Sequence, residues 1–474
     1  MKSNCNRWNF LAATAVVCAL PSIGKPLQKP NVLFVIVDDL RPLIGCYGDK
    51  TAITPNLDAL AADGMLFERA YAQYPICGPS RASFLSGMRP DTTKMMSNNE
   101  PFHKVLPDAL TINRYFKQNG YAVFGAGKVY HNSEGPDSDW SKPYCKTEWL
   151  DHVRPDNKAV ADVFFTKNKR GLPPSIEAED VGDDAYCDGV AAAFSETAIA
   201  EAAKTGAPFM MITGFRKPHL PWCAPKKYWD LYEREKMPIA DNRYFPKGAP
   251  EVALNHYGEL FGYPDIPDKT PLTDELVRQC MHGYYACASY ADAQLGRLIA
   301  ALKAGGVYEN TVIVLCADNG YQHGNNGVWT KGVNWESTDR VPLLLRVPGV
   351  GKNGQRSRAL VELLDIYPTL CEAAGIPVPK HCEGKSLLPL LENPNREWSE
   401  IAYSQLRKGK VTGRSIRTER YRFTLWENPD GVVGVELYDQ EKDPQGNINL
   451  AVSPENEILV QQMTKLHREK WLRK

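Results

Sequence analysis

The sequence predicts an α/β fold built on a large, mostly parallel β-sheet that helices cover on both faces. Continuous apolar, β-branched runs, typical of strands buried on both sides, alternate with stretches of helical periodicity. Strands that alternate with helices favour parallel pairing. After about residue 385 the pattern changes to short alternating strands, which predicts a smaller C-terminal antiparallel sheet followed by a terminal helix.

The large sheet begins with a continuous apolar run at 31–37. This run predicts a buried strand, and it stops at Asp38 and Asp39. Thr54 as N-cap and Pro55 at the first helical position then predict the start of a helix. The later predicted elements are strand 122–125, helix 183–203, strand 209–213, helix 273–302, strand 311–317 and strand 342–347.

Two stretches of the large domain, 132–182 and 237–272, have a loop-like composition. Long loops at the site end of such a sheet usually shape a pocket. Further along the chain, Asn428-Pro429-Asp430-Gly431 predicts a hairpin turn. The predicted C-terminal elements are strands 400–405, 413–418, 421–426 and 433–438 and an amphipathic helix at 455–471.

The charge balance of the chain argues against a nucleic-acid partner. Lysine plus arginine and aspartate plus glutamate both number 56, so the formal net charge is zero. No global field is present to hold nucleic acid or an anionic membrane, and any polyanion must be bound by a local patch. We therefore expect no nucleic acid among the partners.

The first 24 residues have the features of a cleaved export signal. Basic residues precede an apolar run at 10–20, and small residues precede the expected cut after Gly24. The run is too short for a membrane span, and no other stretch approaches the ~18 apolar residues that a span needs. We expect an exported protein, periplasmic or secreted, with no membrane span. The predicted division is an export signal over 1–24, a main domain over 28–385 and a C-terminal subdomain over 386–474.

The most informative motif is the run Cys77-Gly78-Pro79-Ser80-Arg81, which continues to Gly87. Proline is favoured at the first helical position, so the sequence places Cys77 in a turn just before a helix. Backbone N–H groups and the positive end of the helix dipole would then stabilise negative charge on or near residue 77. The alternative for an isolated cysteine is a small apolar side chain packed beside a helix start.

A second group of polar residues follows two predicted strands. Asp38 and Asp39 end the first strand, and Asp318 and Asn319 end the strand 311–317. Ligands of open α/β sheets gather at the carboxyl ends of strands. Carboxylate and amide oxygens suit calcium or magnesium rather than zinc, and calcium is favoured by the ligand count if residue 77 adds an oxygen. Taken singly, each pair is more often a cap, a loop or a turn.

Together these motifs resemble the signature of the type I sulfatases, in which the cysteine is oxidised after synthesis to formylglycine. The wider match, from about residue 30 to 385, is similar to the iduronate-2-sulfatase branch, and it implies an alkaline-phosphatase-like fold with a catalytic domain over 28–385. The resemblance implies that Asp38, Asp39, Asp318 and Asn319 carry the metal together with residue 77. That branch usually has histidine where this chain has Asn319.

The resemblance also implies a mechanism in which the hydrated aldehyde at residue 77 is the nucleophile. One hydroxyl attacks sulfur and the alcohol leaves, after which loss of a proton from the second hydroxyl expels sulfate. The metal polarises the sulfate oxygens and lowers the pKa of the nucleophile. Arg81, one helical turn on from Cys77, can reach back to the diol and the metal-bound oxygens.

Four further basic residues receive roles from the resemblance. Lys128 binds sulfate and residue 77, and His131 takes the proton from the second hydroxyl. His219, in the run Lys217-Pro218-His219, is the candidate general acid towards the leaving alcohol. Lys331 is the other sulfate-binding lysine. Alone, each is more often a solvated lysine or a loop histidine, but their positions after successive strands favour a shared site.

Several features stay outside this assignment. The family often has Gly-x-His-Gly where this chain has Gly324-Asn325-Asn326-Gly327, with His323 as the nearest imidazole, and this departure concerns the subsites around the reaction centre. Ordinary surface charge is the expected role of three basic side chains, with the binding of further anionic groups as the alternative. The resemblance also implies two disulfides similar to those of the iduronate-2-sulfatase branch. The side chains are Arg216, Lys226 and Lys227, and the disulfides are Cys371–Cys382 and Cys145–Cys187.

The sequence therefore predicts a calcium-dependent sulfatase that acts on sulfated saccharides. Its expected partners are that substrate and a maturation enzyme that converts Cys77 to formylglycine. A phosphonate or phosphodiester hydrolase on the same scaffold is an alternative. Further alternatives are a protein that binds sulfated glycans with an unmodified Cys77, and a structural protein with a vestigial site.

Overall fold

The structure is a computed structural model, and it describes Met1 and residues 29–131, 133–147, 151–167, 171–256, 258–268 and 271–472. Apart from Met1, the predicted export signal at 1–24 lies outside the described residues. Among the residues that the structure describes, no helix is both long and apolar enough to cross a lipid bilayer. The boundary predicted near residue 385 stays a prediction.

Strands and helices alternate through most of the chain, and the last strands follow one another directly. The strands are β1 Asn31–Val37, β2 Met65–Tyr71, β3 Ala122–Gly127, β4 Ile176–Glu179, β5 Phe209–Phe215, β6 Trp222–Pro225, β7 Thr311–Ala317, β8 Arg340–Val341, β9 Leu343–Arg346, β10 Gln355–Glu362, β11 Ala402–Lys408, β12 Val411–Arg417, β13 Tyr421–Asn428 and β14 Gly431–Asp439. The helices are α1 Pro55–Asp63, α2 Cys77–Ser86, α3 Pro90–Thr93, α4 Phe102–Val105, α5 Ile112–Gln118, α6 Pro155–Lys167, α7 Cys187–Thr205, α8 Lys226–Trp229, α9 Asp274–Ala304, α10 Glu336–Asp339, α11 Ile366–Ala373, α12 Leu388–Glu392 and α13 Glu457–Leu472.

The large sheet has the strand order β10-β2-β9-β7-β1-β5-β3, with β8 paired to β2. The pairs β1–β5, β1–β7, β3–β5 and β2–β10 are parallel, whereas β9 runs antiparallel to both its neighbours. Every residue of β1, β5 and β7 is buried, because these strands lie inside the sheet and both their faces are covered. The predicted mostly parallel sheet is therefore confirmed.

Helices cover both faces of this sheet. On one side α7 contacts β3 and β5, and α9 packs across α7 and α1. On the other side α2, α5 and α11 contact one another, with α5 against β3 and α11 against β7. This arrangement buries a continuous apolar core from β1 to α12. It also leaves the carboxyl ends of β1, β3, β5 and β7 at one common edge, where the predicted site residues begin.

The C-terminal strands β11 to β14 form an antiparallel sheet in sequence order, and α13 packs against it. Their shared core includes Phe423, Leu437 and Met463. The predicted hairpin turn is present, with Asn428 Oδ1 accepting hydrogen bonds from the backbone N–H groups of Asp430 and Gly431 at 2.8 and 3.0 Å. The small sheet and terminal helix are thus confirmed.

The small sheet is joined to the large domain through β11. The Gln405 N–H donates to the Gln73 carbonyl at 3.0 Å, and the Ser404 hydroxyl donates to the Ala72 carbonyl at 2.6 Å. Both contacts fall on the segment that connects β2 to α2. The C-terminal sheet therefore supplies hydrogen-bond partners to the chain just ahead of Cys77.

Some elements differ from the sequence predictions. β2 was not predicted, because Glu68 and Arg69 interrupt its apolar run, and β10 was not predicted, because its first half is polar and lies at the sheet edge. The stretch 132–182, predicted as a loop, contains α6 and β4. Helix α2 begins at Cys77 itself, so the prediction of a turn at Cys77 before a Pro79 helix start is wrong. Proline is tolerated at this third position because the first N–H groups of a helix have no intrahelical partner.

Neither implied disulfide is formed, because all four cysteines are free thiols in the structure. Cys145 lies beside Ala126 of β3, whereas Cys187 opens α7 next to Asp151 and Asp188. Burial, reinforced by Cys382, raises the pKa of Cys371, so the two thiols are near one another, but no bond joins them.

Candidate active site

Three buried carboxylates meet where β1 and β7 end. Asp38, Asp39 and Asp318 are each at most 1% exposed, and the Asp39 N–H donates to Asp318 Oδ1 at 3.2 Å. One oxygen from each carboxylate and the Cys77 sulfur all lie within 4.8 Å of one another. The strand topology brings these residues together because β1 and β7 are parallel neighbours and α2 starts above their ends. The sequence-predicted cluster of acidic residues around residue 77 is therefore a single group in space.

Two features of this group fit a bound cation. The Asn319 side-chain N–H donates to Asp39 Oδ1 at 2.6 Å, while its Oδ1 is buried without a hydrogen-bond partner in the described structure. A buried amide oxygen that accepts no hydrogen bond lies beside three carboxylates. Together they form a set of hard oxygen ligands, the kind that calcium and magnesium prefer. Asp39 has a φ of 59°, in the left-handed region that aspartate tolerates better than most residues, and this conformation turns the chain sharply after β1.

Three cationic side chains surround the carboxylates. Arg81 lies with Nε 2.7 Å from Asp318 Oδ2 and Nη2 3.2 Å from Asp38 Oδ1. Lys128 contacts Asp38, and the Lys331 ammonium lies 2.6 Å from Asp39 Oδ2. Arg81 and Lys331 are almost fully buried, so these pairs are shielded from solvent. The structure thus brings together the cations that the sequence singled out, each on a separate element.

The three carboxyl groups of this cluster differ in the direction in which their pKa values are shifted. Burial raises the pKa of Asp39 to about 8 although Lys331 opposes the shift, and burial raises that of Asp318 to about 6 against the effect of Arg81. Burial would also raise the pKa of Asp38, but Lys128 and other cations hold it well below the usual value. Crowded carboxylates that resist ionisation gain most from a divalent cation among them.

The Cys77 sulfur is fully buried and lies 3.9 Å from Asp39 Oδ1. Burial, reinforced by Asp38, raises the pKa of this thiol well above its usual value. The expectation that the helix start stabilises negative charge at residue 77 is therefore wrong for the thiolate, because desolvation and the neighbouring carboxylates outweigh the dipole. An unmodified Cys77 is a protonated thiol and a weak nucleophile here.

The two candidate histidines lie at different sides of this group. His219 Nε2 is 3.7 Å from Asp39 Oδ2 and 3.4 Å from Glu259 Oε1, and its Nδ1 contacts the Leu220 carbonyl. His131 has a buried Nδ1 with no partner among the described residues. Burial and then Lys128 lower the pKa of His131 to about 2, so this imidazole is neutral.

Glu259, a site residue that was not predicted, contacts two other site residues from the long loop 237–272. Its carboxylate lies 3.4 Å from both His219 Nε2 and Lys331 Nζ. No local motif marks this residue, because its neighbours are loop residues and the contact exists only in the folded chain. The only sequence signal is that the loop was expected to shape a pocket.

A buried ionic cluster holds the loop that carries His219. Asp188, at the start of α7, accepts hydrogen bonds from the N–H groups of Arg216 and Lys217 at 2.7 and 2.9 Å. The Lys217 ammonium binds Asp151 Oδ1 at 2.7 Å and the Pro221 carbonyl at 2.6 Å, so it bridges both ends of the loop. Because its two ends are fixed, the loop holds His219 towards Asp39.

The same cluster corrects the expectation for Arg216. Its guanidinium lies 2.9 Å from Asp151 Oδ2 and its side chain is 18% exposed, so it is part of the buried cluster and not ordinary surface charge. Lys226 and Lys227 differ, because they are solvent-exposed and pair with Asp230 and Asp183. This cluster could not be predicted from the sequence, because its members lie at residue 151, at the start of α7 and after β5, which are distant in sequence.

We expect Lys217→Met to lower the free energy of unfolding by about 3 kcal/mol or more, because it leaves Asp151 with only part of its buried charge compensated. The matched control is Lys226→Met, which removes an exposed lysine–aspartate pair and should cost less than about 1 kcal/mol. Urea unfolding followed by circular dichroism measures both. Equal losses for the two variants would contradict the structural role of the buried pair.

Comparison with known proteins identifies the family. A family model described as Sulfatase matches residues 30–376, which is most of the chain. The chain belongs to the sulfatase family. A second model, described as N-sulphoglucosamine sulphohydrolase, C-terminal, matches residues 324–471 of this sulfatase.

Individual proteins are similar to this chain along most of its length. Iduronate 2-sulfatase of Homo sapiens is 31% identical and covers 94% of this sulfatase and 95% of its own length. A solved protein in complex with its substrate D-glucosamine-2-N,6-O-disulfate has a TM-score of 0.74 at 22% identity, covering 94% of this chain and 97% of its own. A phosphonate monoester hydrolase from Silicibacter pomeroyi has a TM-score of 0.75 at 21% identity, with 94% and 95% covered.

These comparisons confirm the predicted type I sulfatase of the iduronate-2-sulfatase-like branch. The two solved structures, at under 25% identity, show the alkaline-phosphatase-like fold alone. Enzymes of the sulfatase family generally use a formylglycine and a divalent metal, and the acidic group around Cys77 is a possible metal site in this sulfatase.

Proposed function

We propose that this sulfatase hydrolyses sulfate esters of saccharides, using a formylglycine made from Cys77 and a bound calcium ion. The observation that carries the proposal is the convergence of Asp38, Asp39, Asp318 and the Cys77 sulfur within 4.8 Å. Saccharide substrates are supported by the relatives, one of which was solved with a disulfated glucosamine. When present, formylglycine supplies an oxygen nucleophile and calcium polarises the sulfate ester.

The metal ligands of the proposal are Asp38, Asp39, Asp318, Asn319 and residue 77. The orphan Asn319 Oδ1 and the raised pKa of the Asp39 carboxyl support this set. Oxygen donors of this number favour calcium over magnesium, which usually keeps several waters. In this proposal Arg81 holds Asp38 and Asp318 in place, because its guanidinium contacts both carboxylates.

The remaining residues bind the sulfate group and move protons. Lys128 and Lys331, from opposite sides of the carboxylates, would bind the sulfate oxygens that do not react. His219 would donate a proton to the alcohol that leaves, and its Nε2 faces the centre beside Glu259. His131, whose imidazole is neutral, would accept the proton from the hydroxyl of modified residue 77. Each of these roles remains a proposal.

The sequence features of residues 1–24, basic residues followed by a short apolar run, support a further part of the proposal. We infer that the protein is exported to the periplasm or secreted, and that a formylglycine-generating maturation enzyme acts on Cys77. The domain assignment that accompanies it is catalytic over 28–385 and C-terminal over 386–474. N-terminal sequencing of the exported protein and the mass of the tryptic peptide around Cys77 test these points.

A substrate panel tests the reaction class. Native protein is assayed with sulfated mono- and disaccharides, an aryl sulfate and an aryl phosphodiester under the same conditions. We expect the sulfate esters to be preferred, because the Sulfatase family model matches residues 30–376 and iduronate 2-sulfatase of Homo sapiens is 31% identical to this chain. Dominant phosphodiesterase activity would favour the phosphonate hydrolase alternative, and binding of sulfated glycans without any turnover would favour a non-catalytic protein.

His219→Ala is expected to lower kcat/KM for a sulfated saccharide by about 10²–10⁴-fold, the usual contribution of a general acid. The effect on 4-nitrophenyl sulfate should be far smaller, because nitrophenolate is stable enough to leave without a proton. His381→Ala is the control, since His381 contacts the Ser86 carbonyl at the far end of α2. Equal losses on both substrates would show that His219 does not act as the acid.

A further inference from the structure

A polar cavity lies beside the segment Gly324-Asn325-Asn326-Gly327, where the sequence departs from its family. Its volume is about 200 Å³, several times the ~30 Å³ that one water occupies in the liquid. It lies between the chain that follows β1, the start of α10 and the C-terminal subdomain. The polar residues at its wall include Arg41, Asn242, Asn325, Ser337, Arg340 and Gln445.

Two residues that line the cavity carry hydrogen-bond donors without a partner among the described residues. Arg41 Nη1 donates to Asn325 Oδ1 at 2.8 Å, but its Nε is buried without an acceptor among the described residues. The Ser337 hydroxyl is also buried without a partner there. Buried donors are almost always satisfied in folded proteins, so two unpaired donors on residues that line one cavity fit a ligand or water that accepts from both.

The cavity is also positively charged. Within the described part of the chain neither Arg41 nor Arg340 forms an ion pair with a carboxylate; Arg340 Nε donates to the Glu68 carbonyl at 2.8 Å. Glu336 lines the cavity as well. Its charge is compensated mainly by two other arginines, because Glu336 Oε2 lies 2.9 Å from Arg422 Nη2 and 3.1 Å from Arg417 Nε. Arg340 adds a smaller effect, and together these cations outweigh burial and lower the pKa of Glu336 to about 2.

We propose that this cavity binds a tetrahedral oxyanion of the sulfate class between Arg41 and Arg340. An oxyanion is acceptor-only, so it satisfies the Arg41 Nε–H and the Ser337 hydroxyl while it neutralises two guanidinium groups. Guanidinium groups are the side chains best suited to sulfate and phosphate geometry. The anion has two possible sources, a free ion in solution or an acidic group of a bound saccharide.

The first experimental arm uses inorganic selenate as the probe and the Cys77→Ala protein, so that its outcome does not depend on turnover. Crystals soaked in selenate are expected to show anomalous density within hydrogen-bond distance of Arg41 Nε and Ser337 Oγ. Asn325→Asp places a carboxylate on Arg41 and should remove that density and weaken sulfate binding at least about tenfold, as judged by calorimetry. Asn428→Asp, the same change in the exposed hairpin turn, should leave both unchanged.

The proposal is overturned if the cavity of the Cys77→Ala protein with native Asn325 contains only water. It is also overturned if selenate still binds there after Asn325→Asp. Arg340→Gln provides a second test if Asn325→Asp does not fold, with the same expected loss of selenate density. Thermal unfolding of each variant shows which of them fold.

The second arm identifies the source of the anion and rests on the proposed function. Crystals of Cys77→Ala are soaked with a sulfated disaccharide that carries a second acidic group. Density for that second group in the cavity supports a substrate source, whereas selenate binding without it supports a free anion. An empty cavity in both arms overturns the site. Failure of the proposed function is recognised separately, because the native protein would then turn over no sulfated saccharide.

Discussion

Replacing Cys77 by alanine is expected to abolish sulfate ester hydrolysis, with a fall in kcat of about 10⁴-fold or more, while the fold is retained. Alanine offers no side chain that can be converted to an aldehyde, so the nucleophile is absent. The sulfur is fully buried among polar groups, and its loss should cost only on the order of 1 kcal/mol, by analogy with a buried methylene. Turnover of a sulfated saccharide measures the first effect, and thermal unfolding measures the second.

The matched control for this variant is Cys280→Ala. Cys280 is also fully buried, but it lies in α9 within the second apolar cluster, away from the carboxylates. It should therefore keep full activity at a similar cost in stability. The mass of the native tryptic peptide that contains residue 77 should show the loss of the thiol, and activity of Cys77→Ala within tenfold of native would refute the proposed nucleophile.

Removal of divalent ions is expected to have the second largest effect. A metal that polarises a sulfate ester supplies several kcal/mol of transition-state stabilisation, and each 1.36 kcal/mol is tenfold in rate. We expect dialysis against EDTA to lower kcat by about 10²–10⁴-fold and to lower the Tm. The Tm falls because the three buried carboxylates then lack their counter-ion, and stabilisation by a bound ion is about 2.7 kcal/mol at 100 times its Kd.

Calcium added back should restore both activity and Tm, whereas magnesium should restore them less well. Asp39→Asn should reproduce the chelated state and bind less metal by elemental analysis, because it removes one ligand charge. Asp108→Asn, the same change at an exposed residue, is the control. Full activity after removal of all detectable calcium and magnesium would contradict a metal-dependent reaction.

The central part of the fold was predictable because it is buried on both faces. β1, β5 and β7 are continuous apolar runs for that reason, and each was predicted to within two residues. β2 and β10 lie towards one side of the sheet and carry charged residues, so no continuous run marked them. The apolar pattern of the sequence therefore predicts the central strands of this sheet but not β2 and β10.

The same distinction applies to the site. Residues that directly follow strands, such as Asp38 and Lys128, were predictable because parallel strands end at one edge. Glu259 and Asp188 were not, since each reaches the site through contacts that span the fold. The protonation state of Cys77 could not be predicted from the sequence either. A helix start alone predicts a stabilised anion, but complete burial and the neighbouring carboxylates reverse that preference.

The attachment of β11 to residues 72–73 has a practical consequence for recombinant versions of this enzyme. A chain cut at residue 385 would deprive the Ala72 and Gln73 carbonyls of their hydrogen-bond donors. The same cut would remove the Arg407 N–H that donates to the Tyr74 hydroxyl at 2.8 Å. Expression plasmids should therefore encode the whole polypeptide, because the larger piece alone would lack the hydrogen-bond partners of residues 72–74, just ahead of Cys77.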